Sequence, residues 1–80
     1  MDEGSAALRR CFAAVFPELP DDEIPGASVD SVPEWDSLAS LTLIALLEEE
    51  FRVQISELDL PELRSYADVC DYLRRENRLP

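Results

Sequence analysis

Apolar positions recur at intervals of three and four along most of this chain, the spacing that gathers side chains on one face of a helix. Between residues 5 and 16 they are Leu8, Cys11, Phe12, Val15 and Phe16, with Arg9 and Arg10 on the opposite side. A helix over about 5–16 is predicted. Pro17, Pro20, Pro25 and Pro33 then break the rhythm, together with Gly26 and the acidic run Asp21-Asp22-Glu23. Proline removes a backbone donor and clashes with the turn before it, so no long helix persists there. Residues 17–35 read as a loop pinned by Ile24, Val29 and Val32. A loop of that length in a compact domain is expected to hold a function or an internal helical turn.

The clearest periodic signal follows. A helix over about 36–51 starts at Asp36 or Ser37, either of which suits the N-cap, and Leu38, Leu41, Ile44 or Ala45, Leu47 or Glu48, and Phe51 run down it. Leu43, Leu46 and Leu47 widen the stripe until more than one face is apolar. At 1.5 Å per residue it spans about 22 Å, the length of a small bundle. Further on, Ser56-Glu57-Leu58-Asp59-Leu60 predicts a short helix at about 56–60 that Pro61 interrupts. A last helix over about 65–76 is capped by Ser65, with Asp68 reaching back as a weak capping box. Its apolar face is Tyr66, Val69, Cys70 and Leu73, and Arg74, Arg75 and Arg78 lie near its end, where cations suit the helix dipole. No strand alternation and no repeat intervenes. The expected fold is all-α: one domain over 1–80, a small up-and-down four-helix bundle of three main helices and one short one.

Composition narrows the partners. Hydrophobic residues make up 46% of the chain, too many for a disordered segment despite a net charge of −11. Eighteen Asp and Glu face seven basic residues, every one of them Arg. That balance repels phosphate backbones and anionic lipid surfaces, so neither nucleic acid nor membrane is an expected partner and basic protein patches are. No stretch reaches the length of a membrane span. The start MDEGSAALRR has acid where a signal peptide needs base. A cytoplasmic protein with Cys11 and Cys70 as reduced core thiols is expected.

The inventory also removes most catalytic chemistry. There is no His, and no Lys, which excludes the usual proton shuttle, imidazole metal ligand and Schiff-base amine. The cysteines lack metal-ligand spacing, and no glycine-rich phosphate loop or EF-hand pattern is present. Adjacent carboxylates are commonplace among so many acids and read as solvated faces. No enzyme is expected. What remains is Ser37, a hydroxyl beside a carboxylate at a helix start. It suits a cap, although neither Ala39 nor Ser40 completes a capping box. The same place, among free backbone N–H groups at the positive end of the dipole, also favours a phosphate group on Ser37. At the other end of this helix Glu48, Glu49 and Glu50 oppose the dipole, at typically about 0.3–1 kcal/mol each when exposed.

Asp36-Ser37-Leu38 heads a leucine-rich helix ending in Leu47-Glu48-Glu49-Glu50-Phe51, and Ile55-Ser56-Glu57-Leu58 and a last helix with Asp71-Tyr72-Leu73 follow. This order resembles the acyl carrier protein family along essentially the whole chain, and 36–51 is its most specific part. The resemblance implies that Ser37, flanked by Asp36 and Leu38, carries a covalent 4′-phosphopantetheine arm. A phosphopantetheinyl transferase using coenzyme A would attach it. An acyl, polyketide or aminoacyl cargo would then ride on the arm's thiol, which explains the missing catalytic residues. Implied partners are that transferase, an acyl- or aminoacyl-loading ligase, and downstream synthase or transferase enzymes, with the carrier itself a monomer. Asp36, Leu38, Glu48, Glu49, Ile55 and Glu57 match the family's recognition face. The glutamates then either meet Arg and Lys on partners or simply solubilise the helix end.

Two departures stand out. Ala39 and Thr42 occupy positions where carriers of general fatty-acid synthesis often show acids, and Glu34-Trp35 stand where a small Gly-Ala or Gly-Ser pair is usual. Trp35 either packs the loop onto the bundle or lines an entrance for the arm and its cargo. The differences are similar to those of stand-alone carriers in polyketide, nonribosomal peptide or saccharide-modifying assembly. The alternatives are an aminoacyl or peptidyl carrier, and a small acidic adaptor without a prosthetic group in which Ser37 is only a cap.

Overall fold

The chain ends α1 where its prolines begin. In the computed structural model, which describes residues 3–79, α1 is Glu3–Val15, a 3-10 helix covers Asp21–Gly26, α2 is Ser37–Phe51, a second 3-10 helix covers Leu60–Glu62, and α3 is Tyr66–Arg75. The expected domain limits include residues 1, 2 and 80, which lie outside the described residues. The architecture is all-α. Among the described residues the extended pairing amounts to an isolated antiparallel bridge between Ser28 and Ser65.

One expected element is displaced. The short helix anticipated at about 56–60 is a turn, in which the Leu58 amide donates to Ser56 Oγ at 3.1 Å and the Asp59 amide to the Ser56 carbonyl at 2.9 Å. Helical geometry begins only at Leu60, with Pro61 inside the first turn. Proline suits that place because the N–H it lacks has no helical acceptor there, so Pro61 fits within the first turn after Leu60 and does not interrupt the element.

The long loop is a structural layer of its own. Its 3-10 helix packs against both α1 and α3, while α1 packs on α2. Ile24 drives this docking, since its side chain is fully buried. Two backbone bonds then sew the loop to the start of α3: the Val29 amide donates to the Arg64 carbonyl at 2.8 Å, and the Tyr66 amide to the Ala27 carbonyl at 2.9 Å. Ser65 caps α3 by accepting from the Asp68 amide at 3.0 Å. Asp68 reaches back one residue further than a capping box requires and accepts from the Arg64 amide at 3.1 Å.

Leu8 and Phe12 of α1, Leu43 and Leu47 of α2, and Val69 and Leu73 of α3 form the centre of the core. Against them sits Trp35, 5% exposed, edge-on to Phe12 with ring centroids 5.5 Å apart and tilted against Phe16 at 5.4 Å. Its Nε1 donates to Ser40 Oγ at 3.0 Å. Trp35 therefore packs the loop onto the bundle, and its ring belongs to the core. Tyr72, which the apolar spacing of α3 passed over, is also buried. Its hydroxyl lies 3.2 Å from Asp59 Oδ2 and 3.4 Å from the Gln54 carbonyl, pinning the segment after α2. Arg75 covers the ring at 5.5 Å from its centroid. Cys11 and Cys70 are free thiols.

Two outcomes follow from this packing. Trp35→Ala should cost about 3–5 kcal/mol, the range for deleting a buried aromatic, whereas Trp35→Phe keeps most ring contacts and should cost well under half of that. Urea midpoints of the two variants decide it, and equal losses would contradict the central place given to the ring. The second outcome concerns pH. Burial pushes the Cys11 and Cys70 thiols and the Tyr66 and Tyr72 hydroxyls above their ordinary pKa values, helped by the Glu50 charge at Cys11 and by the Asp59 hydrogen bond at Tyr72. The folded chain thus holds these protons more tightly than the unfolded one. Their contribution is complete below the ordinary thiol value of about 8.5 and is lost as pH rises through it and past the phenol value of about 10. Urea midpoints should fall from pH 8 to pH 11; a flat profile would contradict the assignment.

Candidate functional site

The head of α2 is built by its cap. Asp36 is extended, with φ −102° and ψ −171°, and its carboxylate accepts from the Ala39 amide at 2.9 Å. The Ser40 amide donates to the Asp36 carbonyl at 2.9 Å, closing the first turn. Asp36 is thus the N-cap. Ser37, which the sequence allowed as the cap and which spacing alone did not separate from Asp36, is instead the first helical residue. The consequence is chemical: the Ser37 side chain is released from capping and is exposed. Among the described residues no partner holds its hydroxyl. Its own amide and that of Leu38 are the helix's first two donors, which lack intrahelical acceptors by the geometry of a helix start.

Beside Ser37, the apolar pattern resolves into two faces. Leu43 and Leu47 are buried, and Ala39 and Phe51, at the same spacing of four, pack partly against the core. Leu38 and Leu41 point outward, 73% and 56% exposed. They are not core residues, as a stripe through Leu38, Leu41 and Ile44 or Ala45 had suggested. Thr42 lies on the exposed side, its Oγ1 donating to the Leu38 carbonyl at 3.0 Å. No acid stands in the first turn of α2.

The acidic end of α2 divides by task. Glu48 is half-buried and its Oε2 accepts from the Ile55 amide at 2.9 Å. That bond spans the reversal after the helix, where Arg52 takes a left-handed backbone with φ 53° in the place glycine usually fills. Ile55 is buried beneath it, 9% exposed. Glu50 lies 3.5 Å from Arg10 of α1. Glu49 and Glu57 are exposed. Of the residues that match the family's recognition face, Asp36, Leu38, Glu49 and Glu57 are exposed, Glu48 is half-buried with one oxygen on the Ile55 amide, and Ile55 is buried. Ser40, as the partner of the Trp35 indole, and Tyr72, as the clamp on Gln54 and Asp59, carry structural roles that no local spacing signalled. Among the described residues no helix is long and apolar enough to cross a membrane.

Comparisons with known proteins bear on this geometry. The model of the family described as phosphopantetheine attachment site matches residues 6–73. A curated relative, the acyl carrier protein of Thermosynechococcus vestitus, is 37% identical over 75 residues, covering 90% of this chain and 93% of the relative. No solved structure matches significantly. A match that runs from α1 through most of α3, and a relative aligned over nearly its full length, settle the family question: the chain belongs to the acyl carrier protein family, whose members carry covalently attached 4′-phosphopantetheine.

Proposed function

We propose that Ser37 is the attachment residue and that the chain presents an acyl, polyketide or aminoacyl cargo to partner enzymes. The observation that carries this reading is the exposed Ser37 hydroxyl, free of the capping bond that Asp36 takes over. The site fits a phosphodiester. Two donors at the helix start lack intrahelical acceptors and the dipole favours negative charge there; the neighbouring Asp36 carboxylate is taken up by the Ala39 amide, which leaves the Ser37 and Leu38 amides for the phosphate. When bound, the arm supplies a terminal thiol that holds the cargo as a thioester.

The chain's own residues position and advertise that site. Asp36 fixes the first turn so that Ser37 faces outward at a defined angle. Leu38, exposed beside it, offers an apolar contact to the transferase and to loading or synthase enzymes. Glu49 and Glu57 add exposed negative charge for Arg and Lys on those partners, which serves encounter rate more than final affinity. Glu48 and Ile55 support this face from below, Glu48 by holding the Ile55 amide and so the course of the chain after α2.

Incubation with coenzyme A and a broad-specificity phosphopantetheinyl transferase tests the attachment. Wild-type protein should gain the pantetheine mass, while Ser37→Ala should keep its helical spectrum and melting temperature and gain nothing; a wild-type chain that never gains the mass would leave an adaptor as the reading. For the docking face, Glu49→Lys with Glu57→Lys should slow modification at least about tenfold at low ionic strength, with the gap closing as salt is added. Unchanged rates would mean that these acids only solubilise the surface.

A further inference from the structure

A cleft of about 330 Å³ opens between the end of α1 and the residues that lead into α2. Val15, Phe16 and Leu19 form one wall and Val32 part of the other. Pro17, Pro20 and Pro33 fix φ at three points along these walls. Its volume is at the lower end of the range for small-molecule sites.

Its position and charge point to an occupant. Glu34, in its lining, precedes Ser37 by three residues, at most about 11 Å of extended chain. The Asp36 amide bonds to the Glu34 carbonyl at 3.0 Å, which draws the two closer. Beneath this junction Trp35 fills the interior against Phe12 and Phe16, so the core there is closed, while the cleft that Glu34 lines is open. The lining carries the carboxylates of Glu18 and Glu34 and no cation. Among the described residues neither carboxylate has an ion-pair partner, although five other acids do.

We infer that this cleft receives the cargo itself, and that the cargo is aminoacyl: an apolar body seated against Val15, Leu19 and Val32, with its protonated amine facing Glu18 and Glu34. The inference rests on attachment at Ser37. A carboxylate-bearing acyl group is repelled by both glutamates. A neutral chain gains only the apolar contact. An ammonium on an apolar body gains both, and because Glu18 and Glu34 are exposed its share of the attraction is screened by salt.

The test uses the full chain, labelled with 15N and loaded at Ser37 by a broad-specificity transferase from coenzyme A analogues. Three amide-linked cargoes are compared with the unloaded arm: leucyl, its des-amino counterpart 4-methylpentanoyl, and succinyl. Intact mass first reports attachment. The amide shifts of Val15, Phe16, Leu19, Ser31, Val32 and Glu34 then report the cleft. Leucyl should move them at least twofold more than 4-methylpentanoyl, and succinyl should leave them at the positions of the unloaded arm. Glu18→Gln with Glu34→Gln should reduce the leucyl shifts to those of the des-amino cargo, as should high salt. Full mass gain with unmoved cleft amides overturns the inference and leaves the attachment reading standing. Equal shifts from leucyl and 4-methylpentanoyl overturn the amine preference. Failure to gain mass at all overturns the attachment reading, and this inference with it.

Discussion

Everything at the head of α2 depends on the edge-on contact between Trp35 and Phe12, 5.5 Å apart. A loop of the length between Pro17 and Asp36 has many conformations, and ordering it costs about 1–2 kcal/mol per residue in backbone entropy alone. A single large ring anchored in the core at the loop's last turn gives that ordering somewhere to end. With the ring held by Phe12 and Phe16, and by a hydrogen bond to Ser40 inside the helix, the chain enters α2 at one angle. Asp36 then meets the Ala39 amide as a cap, and Ser37 is left facing water. The exposed hydroxyl is a consequence of the buried indole two residues before it.

The same economy of means governs the other end of α2. Three consecutive glutamates oppose the helix dipole, yet their environments differ because helix geometry turns successive side chains by about 100°. Glu48 faces the segment that follows and ties it down through Ile55, Glu50 faces Arg10, and Glu49 faces solvent. Exposed ion pairs such as that of Glu50 and Arg10 contribute little, at most about 1 kcal/mol. The Glu48 bond has the larger structural effect, because it satisfies a backbone donor at a chain reversal with left-handed Arg52. Runs of like charge on a helix are thus not one feature but several.

Behind both ends lies a fold in which the loop acts as a third packing layer. Its 3-10 helix places Ile24 in the core against α1 and α3, and the bridge of Ser28 and Ser65 couples it to the cap of α3. Tyr72 does for the segment after α2 what Trp35 does for the segment before it, using a buried ring with a polar tip. A small domain has limited apolar area to bury, and using connecting segments as core material is one way to reach a sufficient core.

Much of this was legible in the residues alone. Helical periodicity located α1, α2 and α3 closely, the prolines located the loop, and the absence of His and Lys pointed away from the usual acid-base chemistry. The block from Asp36 to Phe51 was enough to suggest the family that the comparisons then showed. Other features were decided only by tertiary contacts. Asp and Ser are equally good caps, and a helix apolar around most of its circumference offers no intrinsic reason to bury Leu43 and Leu47 and expose Leu38 and Leu41. Which residue caps, and which face turns inward, goes with the packing of α2 on α1 and of Trp35 against Phe12 and Phe16. Likewise, Pro61 reads locally as a helix breaker, and only its place in the first turn of the element that Leu60 begins makes it compatible with a helix. Local propensity identifies the elements because it acts within a few residues. Exposure of a particular side chain depends on neighbours twenty or more residues away, as with Phe12 and Trp35, and is written only in the folded chain.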